Sequence, residues 1–164
     1  MTTKRVVMIA ILAALYAVFT ILIAPLSYGP IQFRLSEILK TFVLFNPWLS
    51  LGIGIGTFIA NMASPYVGPW ELIFMPLTDT LGGVLAWWIY TKLLNRSMPS
   101  ISMFIYALTT AASVALMLVF FGAGGFWFLF VTIFISEAIL LIAGIPIVFN
   151  IVKMLNIRGV MLVE

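Results

Sequence analysis

The chain has 164 residues, of which 64% are apolar, 15% aromatic and only 8% charged, with a net charge of +3 and a mean hydropathy of +1.25. Soluble domains carry roughly 25% charged residues, so a water-soluble globule is excluded, and the aromatic content excludes a disordered chain. Cys and His are both absent, which removes disulfide scaffolds, Cys/His zinc sites, thiol nucleophiles and histidine bases.

Proline and glycine punctuate the apolar text into six segments, about 5–24, 32–46, 48–63, 70–94, 99–121 and 126–154. The breaks are Pro25 with Ser27-Tyr28-Gly29-Pro30, Asn46-Pro47, Ser64-Pro65 through Gly68-Pro69, Asn95 to Pro99, and Gly122 to Gly125. Lys4 and Arg5 precede the first run as they would in a secretion signal. Its length and the spans that follow predict a retained helix instead. The runs are continuous rather than alternating, which argues against a membrane β-barrel.

With the N-terminus inside, Lys4, Arg5, Lys92, Arg96, Lys153 and Arg158 all face the cytoplasm; Lys40 leans the same way, and Arg34 falls outside. This positive-inside pattern predicts an all-α integral membrane protein, a single compact bundle of six transmembrane helices with both termini cytoplasmic. Residues 1–164 read as one membrane domain. The charge needs no nucleic-acid partner.

Ionisable side chains within a membrane are costly and usually face a cavity or each other. The candidates are Arg34, Glu37, Lys40, Glu71, Asp79 and Glu137. Arg34 and Glu37 lie one turn apart on the second segment. Glu71 opens the fourth, Asp79 lies two turns deeper, and Glu137 is about 17 Å along the last. Most fall in the outer half, which predicts a polar pocket opening outward. The plainer reading has Arg34 and Glu37 pairing together and Glu71 sitting at a helix N-terminus, where negative charge is favoured. Glu137 has no basic residue within a turn, so it is protonated or meets a polar partner from elsewhere. The second segment offers 14 residues from Gln32 to Phe45, about 21 Å of helix, which is short for a span and a pointer to a substrate site. Pro76, one turn before Asp79, loosens the fourth helix.

Gly52-Ile53-Gly54-Ile55-Gly56 has a dinucleotide look, but no strand precedes it, and Gly52 and Gly56 form a GxxxG for close helix approach. Ala10 with Ala14, and Ala13 with Ala17, repeat small-xxx-small spacing, for packing within the bundle or for docking another subunit. Trp48, Trp70 and Trp127 near helix ends read as interfacial anchors. No P-loop, HExxH or GxSxG motif occurs, so ATP is not harnessed through that device.

The stretches Ser27-Tyr28-Gly29-Pro30-Ile31-Gln32-Phe33-Arg34-Leu35-Ser36-Glu37 and Ile59-Ala60-Asn61-Met62-Ala63-Ser64-Pro65, with Ser136-Glu137-Ala138 before Gly144-Ile145-Pro146, resemble the QueT family. These are S components, the substrate-capturing subunits of energy-coupling-factor importers. The fourth segment departs from the family's expected start, reading Gly68-Pro69-Trp70-Glu71. The resemblance implies capture of a queuosine precursor, a deazaguanine, from outside. It also implies association with a membrane coupling subunit and two cytoplasmic ATPases, in a prokaryotic cell membrane. It assigns docking to the alanines Ala10, Ala13, Ala14 and Ala17, and no cofactor or metal. Substrate-binding candidates are Gln32, Arg34, Glu37, Glu71, Asp79 and Glu137, with Tyr28 and Asn61 from the two quoted stretches. A carboxylate accepts the adjacent N–H donors of a guanine edge as a pair, a role open to Glu37, Asp79 or Glu137. The alternatives are an S component for another vitamin-like or aromatic solute, an integral-membrane enzyme using Glu137 or Asp79, and a purely structural subunit.

Overall fold

The computed structural model describes residues 2–28 and 32–157. Gly29, Pro30 and Ile31 of the first loop, and Arg158, lie outside the described residues. Among those described, every regular element is helical: α1 (Thr3–Leu22), α2 (Ala24–Ser27), a 3-10 helix (Leu35–Leu44), α3 (Leu49–Asn61), α4 (Met75–Trp88), α5 (Pro99–Phe120) and α6 (Phe126–Ile157). Short π turns, Trp70–Phe74 and Ile89–Leu93, extend α4 at both ends. The elements follow the six apolar segments read from the sequence. Four are long and apolar enough to cross a membrane: Thr3–Leu22, Trp70–Leu93, Pro99–Phe120 and Phe126–Leu155.

The second and third segments are shorter. Ten residues in the 3-10 form rise about 2.0 Å each, so the helix reaches about 20 Å, where ten α-helical residues would reach about 15 Å. Runs this long are uncommon in 3-10 geometry and mark strain or function. Its period of 3.0 stacks Glu37, Lys40 and Val43 on one edge, all three buried, while Arg34 caps the helix in an extended conformation.

Close backbone approach sets the packing of α1 on α3. A methyl group on Gly52 would stand 2.9 Å from the Ile9 carbonyl oxygen, and one on Gly56 2.8 Å from Tyr16 Cβ. The GxxxG thus serves packing, as its spacing predicts. Ala13 and Ala17 are buried on this side, whereas Ala10 and Ala14 are exposed. The two alanine stripes therefore separate: one packs inside and one looks outward.

At α4, Pro76 has no N–H to return to the Leu72 carbonyl. The helix widens there, and Met75 N–H bonds Trp70 O across a π turn. Large apolar side chains cover the outside, Leu22, Phe120 and Trp127 among them, as suits a molecule whose solvent is lipid. Trp127 and Trp48 are exposed as anchors should be. Trp70 instead turns partly inward, its ring 4.4 Å from Phe74 and 5.4 Å from Phe120.

Candidate functional site

Two connected groups of polar side chains occupy the interior. The deeper one centres on Lys40, which is wholly buried. Its ammonium pairs with the Glu37 carboxylate, lies 2.8 Å from Asp79 Oδ1 and 3.8 Å from Glu137 Oε2. It donates to Thr110 Oγ1 at 3.3 Å and faces the Tyr106 ring at 5.1 Å, a favourable cation–π geometry.

The carboxylates pass the connection outward. Glu37 Oε1 accepts from Tyr16 Oη at 2.5 Å, and Asp79 Oδ2 accepts from Thr57 Oγ1 at 2.6 Å. Tyr106 Oη donates to the Asp79 backbone carbonyl at 2.5 Å. The 3-10 helix, α1, α3, α4, α5 and α6 thus all contribute to one network. Such burial of charge is tolerable only because each group meets an opposite charge or a hydrogen bond.

This corrects the sequence expectation for Lys40. Expected towards the cytoplasmic side, it stands in the middle of the bundle, because the 3-10 period places it directly under Glu37. The carboxyls of Glu37, Asp79 and Glu137 do converge, as read from the sequence, but upon a cation of the chain's own. Glu137 finds the partner that its own helix lacks. Arg34 and Glu37, paired only in the plainer of the two readings, turn to different partners.

The second group lies at the end of the bundle remote from Lys4 and Arg5. Arg34 Nε donates to Ser27 O at 3.1 Å, its Nη2 donates to Gln32 Oε1 at 2.9 Å, and its guanidinium lies 5.3 Å from the Tyr28 ring. Tyr28 Oη donates to Ala60 O at 2.5 Å, and Asn61 Nδ2 donates to Glu71 O at 2.9 Å. Ser64 Oγ accepts from Tyr66 N at 3.1 Å. Gln32 holds a left-handed backbone, φ +52°, which is costly for a residue with a Cβ.

Three atoms of this second group have no hydrogen-bond partner: Gln32 Nε2, Asn61 Oδ1 and Glu71 Oε2. Their residues are 2%, 0% and 1% exposed. Unmade hydrogen bonds in the interior cost about 1–3 kcal/mol each. Three such atoms gathered at one end make this the candidate binding site, since buried polar groups call for a partner.

The structure therefore brings Gln32, Arg34, Tyr28, Asn61 and Glu71 together, and Glu37, Asp79 and Glu137 around Lys40 below them. Two cavities lie away from both groups. One of about 520 Å³ is lined by Phe104, Phe134, Ile135, Ala138, Ile139, Ile142 and Ala143. The other, of about 420 Å³, lies between α1, the 3-10 helix and α6, with Met8, Ile11, Leu15, Leu39, Phe42 and Ile151 among its walls. Sequence reasoning missed the roles of Lys40, Tyr16, Thr57, Tyr106 and Thr110. The three-residue spacing of Arg34, Glu37 and Lys40 was the one available signal. The two tyrosines are ordinary span residues until helices are placed side by side.

An apolar helical bundle with charged groups gathered inside and four helices long enough to cross a membrane defines the class of multi-pass membrane proteins. The comparisons agree: the family model described as QueT transporter matches residues 6–153. The chain belongs to the QueT transporter family. A curated relative, the queuosine precursor transporter QueT of Lactococcus lactis subsp. cremoris (strain MG1363), is 44% identical over 64 residues. That match covers 38% of this chain and 38% of the relative. No solved structure matches the chain.

Proposed function

We propose that the protein is the substrate-capturing S component of an energy-coupling-factor importer, taking a queuosine precursor of the deazaguanine class from outside a prokaryotic cell. The observation that carries this reading is the set of unpartnered, buried hydrogen-bonding atoms on Gln32, Asn61 and Glu71 in a chain of the QueT transporter family. With basic residues inside, that group lies at the outer mouth. A flat heterocycle with both donors and acceptors on its edge suits such a site, and Tyr28 and Arg34 offer it planar neighbours.

The deep carboxylates take a different part from the one expected of them. Glu37 and Asp79 are committed to Lys40, so the guanine-like edge falls to Glu71. Glu137 Oε2 lies 3.8 Å from the same ammonium, so it too is turned to Lys40. Lys40, meanwhile, holds the helices in register beneath the site.

Energy enters through partners. A membrane coupling subunit and two cytoplasmic ATPases would bind the assembled S component, with exposed Ala10 and Ala14 on α1 as the contact stripe. Ala13 and Ala17 are already buried inside the bundle, so docking passes to the outward pair alone.

Purification in detergent, denaturation and mass spectrometry of the released small molecules test the reading. A deazaguanine supports it. Another vitamin-like solute would overturn the substrate assignment while keeping the transporter class, and a chemically converted product would overturn both.

A further inference from the structure

We infer that Gln32, Asn61 and Glu71 read the solute by a donor–acceptor–acceptor pattern, and that this pattern selects a guanine-type edge over adenine-type or deaminated ones. The inference rests on the proposed importer reading and adds which residue recognises which atom.

Gln32 Nε2 is a donor without an acceptor, whereas Glu71 Oε2 and Asn61 Oδ1 are acceptors without donors. The orientation of the Asn61 amide is settled by its neighbour: Nδ2 faces the Glu71 carbonyl at 2.9 Å. The flipped amide would set oxygen against oxygen. Gln32 is oriented in the same way, since its Oε1 accepts from Arg34, leaving Nε2 free. Glu71 Oε2 has no partner either, and the Glu71 backbone carbonyl is the acceptor that holds Asn61. The free atoms of Gln32 and Asn61 thus belong to amides whose other ends are already held.

A guanine-type edge carries a carbonyl acceptor, a ring N–H and an exocyclic amine, which is the complement of these three atoms. Gln32 Nε2 donates to the carbonyl, Glu71 Oε2 accepts from the ring N–H, and Asn61 Oδ1 accepts from the amine. An adenine-type edge would set its ring nitrogen lone pair against the Glu71 carboxylate. A hypoxanthine-type edge would leave Asn61 Oδ1 buried without a donor. Sites that hydrogen-bond their ligand reject analogues in this way because buried polar groups are left unpaired.

The test is calorimetric titration of the full chain in detergent with deazaguanine, deazahypoxanthine and deazaadenine bearing the same side group. The wild type should prefer deazaguanine over deazahypoxanthine by about tenfold and over deazaadenine by on the order of 100-fold or more. Asn61→Ala should bring the first ratio down to about twofold or less, because the amine has lost its reader. Glu71→Gln should lower the second ratio at least about tenfold, since a glutamine amide donates to the adenine ring nitrogen. A uniform loss of affinity for all three bases would overturn the assignment, because a merely structural role leaves the ratios unmoved. If the wild type binds deazaguanine but the ratios stay fixed in both variants, the pattern fails and the importer reading stands. If the wild type binds none of the three, the deazaguanine reading itself fails.

Discussion

Glu37 and Lys40 stand one 3-10 turn apart and form an ion pair in which both side chains are buried, at 1% and 0% exposure. An α-helix would rotate the two side chains about 60° apart around the axis, whereas the three-fold period eclipses them. Lys40 then presents its ammonium to Asp79 at 2.8 Å and Glu137 at 3.8 Å. One backbone geometry thereby organises the interior of the bundle.

Lys40→Met should destabilise the protein by about 3–5 kcal/mol, since it strands three buried carboxyls without their cation. Asp79→Asn should cost less and Glu137→Gln least, following the lengthening distances to Lys40. Thermal unfolding in a fixed detergent measures the order. A Glu137→Gln variant that melts below Lys40→Met would show that the hub is not centred on the lysine.

Arg34→Ala should weaken solute binding by about 2–5 kcal/mol, because the guanidinium holds Gln32 in place. The fold should survive, as Arg34 lies at the mouth rather than in the hub. Calorimetry of the variant against the wild type checks the first part, and its melting curve the second.

Gln32→Gly offers a separation of stability from function. The left-handed backbone at φ +52° costs a side-chain-bearing residue about 1–2 kcal/mol that glycine avoids. The variant should melt at or above the wild-type temperature while losing about tenfold in affinity. Equal affinity would remove Gln32 from the binding group.

Ala14→Trp and Ala13→Trp should behave oppositely. Ala14 is exposed, so its tryptophan should spare folding and solute binding but block co-purification with the coupling subunit. Ala13 is 3% exposed, with its backbone against Gly56, so overpacking there should cost about 1–3 kcal/mol or more. Intact assembly of Ala14→Trp would count against the docking stripe.

Much of the architecture is legible in the linear text. Proline and glycine mark the ends of six apolar runs, and the helices begin and end close to those marks. The GxxxG at Gly52 and Gly56 reads correctly because close approach needs the absence of a side chain, a property of the residue itself. The widening at Pro76 is equally local, since proline has no N–H to give. Tyr28, Gln32, Arg34, Asn61 and Glu71 stand out as polar groups beside helix ends.

Their partners are another matter. Composition and the order of apolar runs determined by themselves that the chain is a helical membrane protein with charged groups inside, because lipid forces each backbone to satisfy its own hydrogen bonds. Only the tertiary structure decided that Lys40 is the common counter-charge, that Ala13 faces inward while Ala14 faces outward, and that Glu71 rather than Asp79 keeps a free oxygen. Those facts depend on which helices touch and on a 3-10 rather than an α period at residues 35–44. Ion pairing between distant segments is settled by the separation of side chains in space, and neighbours in sequence carry no record of it.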